Sequence, residues 1–279
     1  MNTKPTQTLP DSCAIKISSA EFRQLKTWIY DAAGISLSEY KQALVMGRLA
    51  QRLRHYQLAS YGEYFHLLTG GNFSTETQIA IDLLTTNETN FFREPKHFDF
   101  LRQHIIPAHS PGKSLRVWSA ASSSGEEPYS IAMTLAATMG ERQWEVLASD
   151  LSSRILDRAK TGHYAMTRAE SIPREYLTAY CLKGIDKYEG TFLVDPKIRN
   201  RVQFMQINLN NLLPQLGEFD VIFLRNVMIY FDLPTKRQVV SRLLKHLCRN
   251  GYLLIGHSES LNDVSNEVKP VMPAVYRKI

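Results

Sequence analysis

Two consecutive carboxylates, Glu126 and Glu127, follow a run of small residues in SAASSSGEEPYSIAM, Ser119 to Met133. Paired carboxylates of this kind favour a cationic ligand over a phosphate. The run comes directly after an apolar stretch containing Leu115, Val117 and Trp118, and it opens a segment with helical spacing. Strand, tight turn and helix N-terminus in that order build a nucleotide-type ligand site. Gly125 is the single glycine of the turn, so the glycine-rich dinucleotide fingerprint is absent and pyrophosphate binding is not indicated. Small side chains from Ala120 to Ser124 let the backbone approach a ligand closely. S-adenosylmethionine, with its sulfonium and ammonium groups, carries the charge that such a lip favours. A second reading stays open here, because acids and Pro128 also mark a favourable helix start.

In a doubly wound sheet, ligands lie beyond the carboxyl ends of the strands, and several other segments place polar residues there. Asp150 ends the strand WEVLAS, where a carboxylate can accept both hydroxyls of a ribose or cap the helix starting near Ser152. Asn208 and Leu209 follow VQFMQI. An amide or backbone groups there suit an adenine edge with the leucine on the ring, although asparagine is also an ordinary turn former. FDVIFLRNVMIYF passes from an apolar strand to Arg225 and Asn226, then to Tyr230. An unpaired buried arginine costs on the order of several kcal/mol, so Arg225 needs a carboxylate or a solvated cleft. Its alternative is a structural salt bridge, and Tyr230 by itself reads as a core tyrosine with a satisfied hydroxyl. TTNETNFFR reads as a polar loop anchored by Phe91 and Phe92, which leaves Arg93 where a helical domain meets the sheet.

The chain has 279 residues, 44% of them apolar, enough for a real core in two modest domains. A flexible N-terminus is expected over 1–17, a helical domain over 18–85, a linker with a helix over 86–112, and an α/β domain over 113–279. Phe22, Leu25, Trp28 and Ile29 set the helical period in the first domain. The linking helix, His97 to Ile106, is expected to end at Pro107, with a loop from His109 to Lys113 containing Pro111 and Gly112. Strands near 115–119, 145–149, 201–206, 219–224 and 251–256 alternate with helices near 127–139, 152–160 and 234–248, which implies a parallel sheet covered on both faces. Lys183 to Val202, with Gly184, Gly190, Pro196 and the run TFLV, reads as a small antiparallel insertion with an open edge.

No apolar run is long enough to span a membrane, and the polar start does not resemble a signal peptide, so a cytoplasmic location is expected. Cys13, Cys181 and Cys248 form no CxxC pair and the histidines show no HxxxH spacing, so no metal is expected. Lys and Arg outnumber acids 33 to 27. Between Glu39 and Glu63 there is no acid, while Lys41, Arg48, Arg52 and His55 fall in one helical stripe, with Arg54 nearby. That stripe reads either as a solvated face or as a dock for an acidic partner.

TTNETNFFRE, GEEPYS, WEVLASDLS, QINLNNL, FDVIFLRNVMIYF and GYLLIGHSES, in that order, resemble the chemotaxis receptor glutamate methyltransferases, the CheR family. The resemblance covers Ser18 to Arg277. It implies a Rossmann-like S-adenosylmethionine-dependent methyltransferase sheet, a small N-terminal all-helical domain and a β-subdomain insertion. It implies cofactor contacts from Asn87, Thr89, Arg93, Glu127, Asp150, Asn208, Leu209, Arg225 and Asn226, with S-adenosylhomocysteine as product. It lifts Arg93 and Tyr230 to the catalytic centre. The implied partner is the cytoplasmic helical hairpin of a chemoreceptor, with a receptor C-terminal tail as a second contact, and a monomeric enzyme. Rival readings are a nucleic-acid methyltransferase, disfavoured by the missing DPPY or NPPY motif, and an inactive cofactor-binding scaffold.

Overall fold

The computed structural model describes residues 15–71, 74–110, 112–140 and 142–279. Cys13, Pro111 and residues 1–14 of the expected flexible N-terminus lie outside the described residues. The chain divides into two compact units, one holding residues through Trp28 with Leu37–Leu84, the other Ile29–Ser36 with Thr85–Ile279. The first unit is built from α1 (Ser19–Ala33) as far as Trp28, with α2 (Gln42–His55), α3 (Tyr61–Thr69) and α4 (Ser74–Leu84). Val45, Leu49 and Leu53 recur every fourth residue on α2 and are all buried, so one stripe of the helix supplies the core. Tyr61, Tyr64 and Leu68 do the same for α3.

The second unit continues with α5 (Lys96–Phe100), a π-helical turn over Leu101–Ile105 and α6 (Ile106–Ala108). Pro107 therefore lies inside this helical stretch instead of ending it. A proline ring crowds the carbonyl four residues back, and the widened turn just before it relieves that clash. There follow β1 (Leu115–Ser119), α7 (Glu126–Met139), β2 (Trp144–Asp150), α8 (Ser153–Thr161), β3 (His163–Ala165), α9 (Arg174–Tyr180), β4 (Cys181–Lys183), β5 (Thr191–Val194) and α10 (Pro196–Arg199). The chain ends with β6 (Val202–Gln206), β7 (Phe219–Leu224), α11 (Leu233–Leu244), β8 (Leu247–Ile255), β9 (Val268–Met272) and β10 (Val275–Lys278).

The large sheet runs β6-β2-β1-β7-β8-β10-β9. Its strands from β6 to β8 are parallel, as the alternating pattern requires, whereas β10 is antiparallel to both neighbours. The last two strands escape a sequence reading because they are short and partly exposed. The helix expected over 234–248 ends at Leu244, since Leu247 already pairs with Phe219. The antiparallel insertion is real but begins earlier than expected: β3, β5 and β4 form a separate sheet with β5 in the middle. TFLV is that central strand, paired on both sides, so the open edges belong to β3 and β4.

The basic stripe of α2 also needs correction. Lys41, Arg54 and His55 are exposed, but Arg48 donates to the Leu84 carbonyl at 2.8 Å and Arg52 grips Glu76 through Nε (2.8 Å) and Nη2 (2.5 Å). Tyr64 and Tyr56 hydroxyls also donate to Glu76, which is 2% exposed. The compensating acid thus comes from α4, outside the acid-free window. Burial alone raises the Glu76 pKa, but the Arg52 and tyrosine bonds outweigh it and hold it below the usual carboxylate range. Glu76→Gln leaves Arg52 without its charge, and loss of about 3–5 kcal/mol is expected in chemical unfolding at neutral pH. Because the folded pKa is depressed, the wild-type advantage is full above the unfolded value of about 4.3 and fades as pH falls through the folded one. An equal gap between the two proteins at pH 7 and pH 3 refutes this account.

Candidate active site

The turn between β1 and α7 is held from three directions. Gly125 has φ +97°, and a Cβ there would meet the Tyr164 hydroxyl at 2.8 Å and the Ala159 Cβ at 3.0 Å, so only glycine fits. Tyr164, on β3, donates to the Ser124 carbonyl at 2.7 Å and stacks on Phe192 of β5, which makes the small sheet a buttress under the turn. Ser122 N–H donates to the Ser149 carbonyl, and Ser123, at φ +48°, donates its N–H to Asp150 Oδ2 at 2.9 Å. The other Asp150 oxygen accepts from Ser152 N–H at 3.0 Å. The cap of α8 is Ser152, whose Oγ accepts from Ile155 N–H. Asp150 therefore ties the turn to the end of β2, with its carboxylate at the sheet edge where a ligand belongs.

The two acids after the turn part company. Glu126 is fully buried, accepts from Ser124 Oγ at 2.6 Å and has Arg168 at 3.8 Å, and burial pushes its carboxyl above the usual range. It is not at the lip, contrary to the reading of the pair from sequence. Glu127 is: Oε1 accepts from Ser119 Oγ (2.7 Å) and Oε2 from Arg225 Nη1 (2.9 Å). Arg225 Nη2 also donates to the Arg93 carbonyl (2.5 Å) and Glu94 Oε2 (3.0 Å). Glu94 Oε1 accepts from His257 N–H at 3.1 Å and faces Asn226 Nδ2 at 3.5 Å. Burial raises Glu127 further than Arg225 and Ser119 lower it, whereas Arg225 and the His257 N–H together bring Glu94 below its usual range despite burial. Glu259 completes the edge, accepting from Asn226 N–H (3.0 Å) and Gly256 N–H (2.7 Å).

Arg93 lies between Phe92 (φ +50°) and Glu94 (φ +57°), a strained pair anchored by a bond from Phe92 N–H to Ser130 Oγ. Its side chain donates to the Glu88 carbonyl at 3.2 Å and is half-buried. Asn87 joins the turn through its carbonyl, which accepts from Ser123 Oγ at 2.8 Å, and the Thr89 carbonyl accepts from Arg168. Asn208 is partly spoken for: its Nδ2 donates to the Ala32 carbonyl at 2.6 Å and its Oδ1 accepts from Asn210 N–H. One amide hydrogen and one oxygen lone pair are thus spent on the protein itself, and one of each remains. Leu209 is buried in the cluster that contains Ala120 and Leu147. Tyr230 is half-buried, and its hydroxyl has no hydrogen-bond partner among the described residues, unlike that of an ordinary core tyrosine.

Glu94, His97 and His257 bring ligand-type atoms within 4.8 Å of one another. Burial first, then Arg225, pushes His97 down to about 3, so its ring is neutral at any physiological pH. A cation there would share Glu94 Oε2 with the Arg225 guanidinium, and we assign that carboxylate to Arg225. Glu94, His97 and Glu259 are the residues that sequence reasoning missed. Glu94 and Glu259 stood inside the recognised motifs, and the available signal was the need of Arg225 and of bare N–H groups for acceptors.

A sheet parallel from β6 to β8 with β10 antiparallel, an acid at the end of β2 and a small-residue turn opening α7 define a Rossmann-like site for a nucleoside-type ligand. Ser122 Oγ is buried at that turn without a partner among the described residues, and Asp150, Glu127 and Glu94 supply negative charge, which fits S-adenosylmethionine. The fold and site are thus those of an S-adenosylmethionine-dependent methyltransferase. Residues 87–276 match the family "CheR methyltransferase, SAM binding domain" and residues 20–85 match "CheR methyltransferase, all-alpha domain". A chemotaxis protein methyltransferase of Escherichia coli K12 is 42% identical over 89% of this chain and 87% of its own length. One from Salmonella typhimurium is 40% identical over 94% and 91%, and chemotaxis protein methyltransferase 2 of Pseudomonas aeruginosa 40% over 92% of each chain. The chain belongs to the CheR methyltransferase family.

Asp150→Ala is expected to weaken S-adenosylhomocysteine binding at least tenfold in calorimetry. It should also lower the unfolding midpoint of the ligand-free protein, because the Ser123 and Ser152 N–H groups lose their acceptor. Wild-type affinity in a folded variant refutes the ribose role.

Proposed function

We propose that this protein esterifies glutamate side chains in the cytoplasmic helical hairpin of chemoreceptors, in the cytoplasm and as a monomer. The observation that carries this reading is the match, over about nine-tenths of the chain, to proteins named chemotaxis protein methyltransferase. No helix among the described residues is long and apolar enough to cross a membrane. In this reading 18–85 is the receptor-docking domain, 86–112 the linker and 113–279 the catalytic domain. Cofactor contacts come from Asn87, Thr89, Arg93, Glu127, Asp150, Asn208, Leu209, Arg225 and Asn226.

S-adenosylmethionine supplies an electrophilic methyl group on a sulfonium. A glutamate, with a reference pKa of about 4.3, is already an anion at neutral pH, so the protein needs no strong base. Its task is alignment and exclusion of water, effects that reach about 7–11 kcal/mol in favourable systems. Arg93 has guanidinium donors beyond the one spent on Glu88, and it orients carboxylate charge without clamping the nucleophile tightly. Tyr230 offers its unpartnered hydroxyl as a hydrogen-bonding group to the reacting centre.

Receptor docking falls to the exposed Lys41, Arg54 and His55 on and just before α2, with Arg48 and Arg52 as their structural support. A receptor tail would add to the open edge of β4, where Leu182, Ile185 and Tyr188 are exposed beside Lys183 and Lys187.

Labelled cofactor mixed with receptor-bearing membranes should yield label released by base as volatile methanol, and base-stable label instead refutes ester formation. Arg93→Ala and Tyr230→Phe should lower kcat at least tenfold while changing S-adenosylhomocysteine affinity less. Wild-type kcat in either variant removes that residue from the chemistry. Lys41→Glu with Arg54→Glu should raise the receptor KM and flatten its salt dependence without altering cofactor binding. An unchanged receptor KM at low salt makes the face merely solvated.

A further inference from the structure

Arg225 and Asn226 emerge from the apolar strand β7 at the cofactor edge, and both are gathered by one carboxylate from a segment 131 and 132 positions earlier in the chain. Glu94 gives Oε2 to the Arg225 guanidinium at 3.0 Å, while Oε1 takes the His257 backbone N–H at 3.1 Å and faces the Asn226 amide at 3.5 Å. The side chain is 13% exposed and is braced from below by the fully buried His97, whose Nδ1 lies 3.5 Å from Oε2. Glu94 itself is held at φ +57°, a conformation unfavourable to its residue type, so the surrounding bonds must hold it there. The carbonyl of the preceding residue, Arg93, accepts from the same Arg225 nitrogen at 2.5 Å. One short segment thereby sets both the side chain and the backbone against Arg225.

We propose that Glu94 is a positioning residue for methyl transfer: it sets the Arg225 guanidinium and the Asn226 amide in the orientation that receives the cofactor. The claim rests on the cofactor reading of Arg225 and Asn226 above. Without Glu94 the guanidinium keeps the Arg93 carbonyl but has Glu127 as its one remaining carboxylate among the described residues, and it would draw that carboxylate from the ligand. Its Nε has no hydrogen-bond partner among the described residues and adds no compensating anchor.

Two substitutions separate the carboxylate from the strained backbone. Glu94→Gln keeps the side-chain length and an acceptor for His257 N–H but removes the charge. Glu94→Gly removes the whole side chain and suits the positive φ. Both should weaken S-adenosylhomocysteine binding at least tenfold in calorimetry and raise the KM for S-adenosylmethionine by a similar factor. The receptor KM should stay within twofold of wild type, a readout that a general loss of structure would not spare. The glycine variant should unfold at no lower temperature than the glutamine variant. Binding within twofold of wild type in either variant overturns the proposal, and so does loss of the folded state in both, which would make Glu94 structural only. Glu127→Gln is the control for the underlying reading. If it binds cofactor normally, the cofactor edge itself is misassigned, whereas a defect in Glu127→Gln with normal Glu94 variants sinks this inference alone.

Discussion

An arginine side chain that is 1% exposed at the mouth of an apolar strand is the constraint around which the catalytic unit is arranged. Left unpaired it would be prohibitive, so Arg225 recruits Glu127 from the first turn of α7, Glu94 from the segment before α5 and the carbonyl of Arg93. Two of those anchors are adjacent in the chain and the third lies on α7, so satisfying one cation brings the helix start, the strand exit and the Arg93–Glu94 segment together. The two acids respond differently. Arg225 brings Glu94 below its usual range, while burial holds Glu127 above its own despite the same guanidinium.

The helical unit solves a similar problem in a different way. Glu76 is a buried acid surrounded by Arg52 and two tyrosine hydroxyls, and the group is closed, with its hydrogen bonds spent on its own members. Such a cluster fixes helix against helix. The Arg225 group is also largely buried, but it stands at the carboxyl end of β7 instead of between helices.

The alternation of strands and helices was readable because each element has its own period, and the turn at Ser119–Gly125 was readable because small residues between a strand and a helix have few other uses. Asp150 could be placed from sequence, but that Ser152 and not Asp150 caps α8 became visible only in the structure. What stayed hidden were partnerships across long separations. Nothing near Asn208 announces that the Ala32 carbonyl takes its amide, and nothing near Arg52 shows the acid on α4. Glu94 was visible as a letter in a motif but had no role until its distance to Arg225 was known. The small sheet was displaced in the reading because β3 and β4 are three-residue strands, too short for a period to show, flanking the more legible TFLV.

The order of the last strands has a consequence for how the molecule is made. β10 is inserted between β8 and β9, so β9, although synthesised first, has no neighbour to join until β10 has been added. During synthesis β8 therefore presents a bare edge, with Leu253 and Leu254 awaiting Tyr276 and Val275. Until β10 pairs, that flank of the sheet is an adhesive edge, the state in which a chaperone would be most needed.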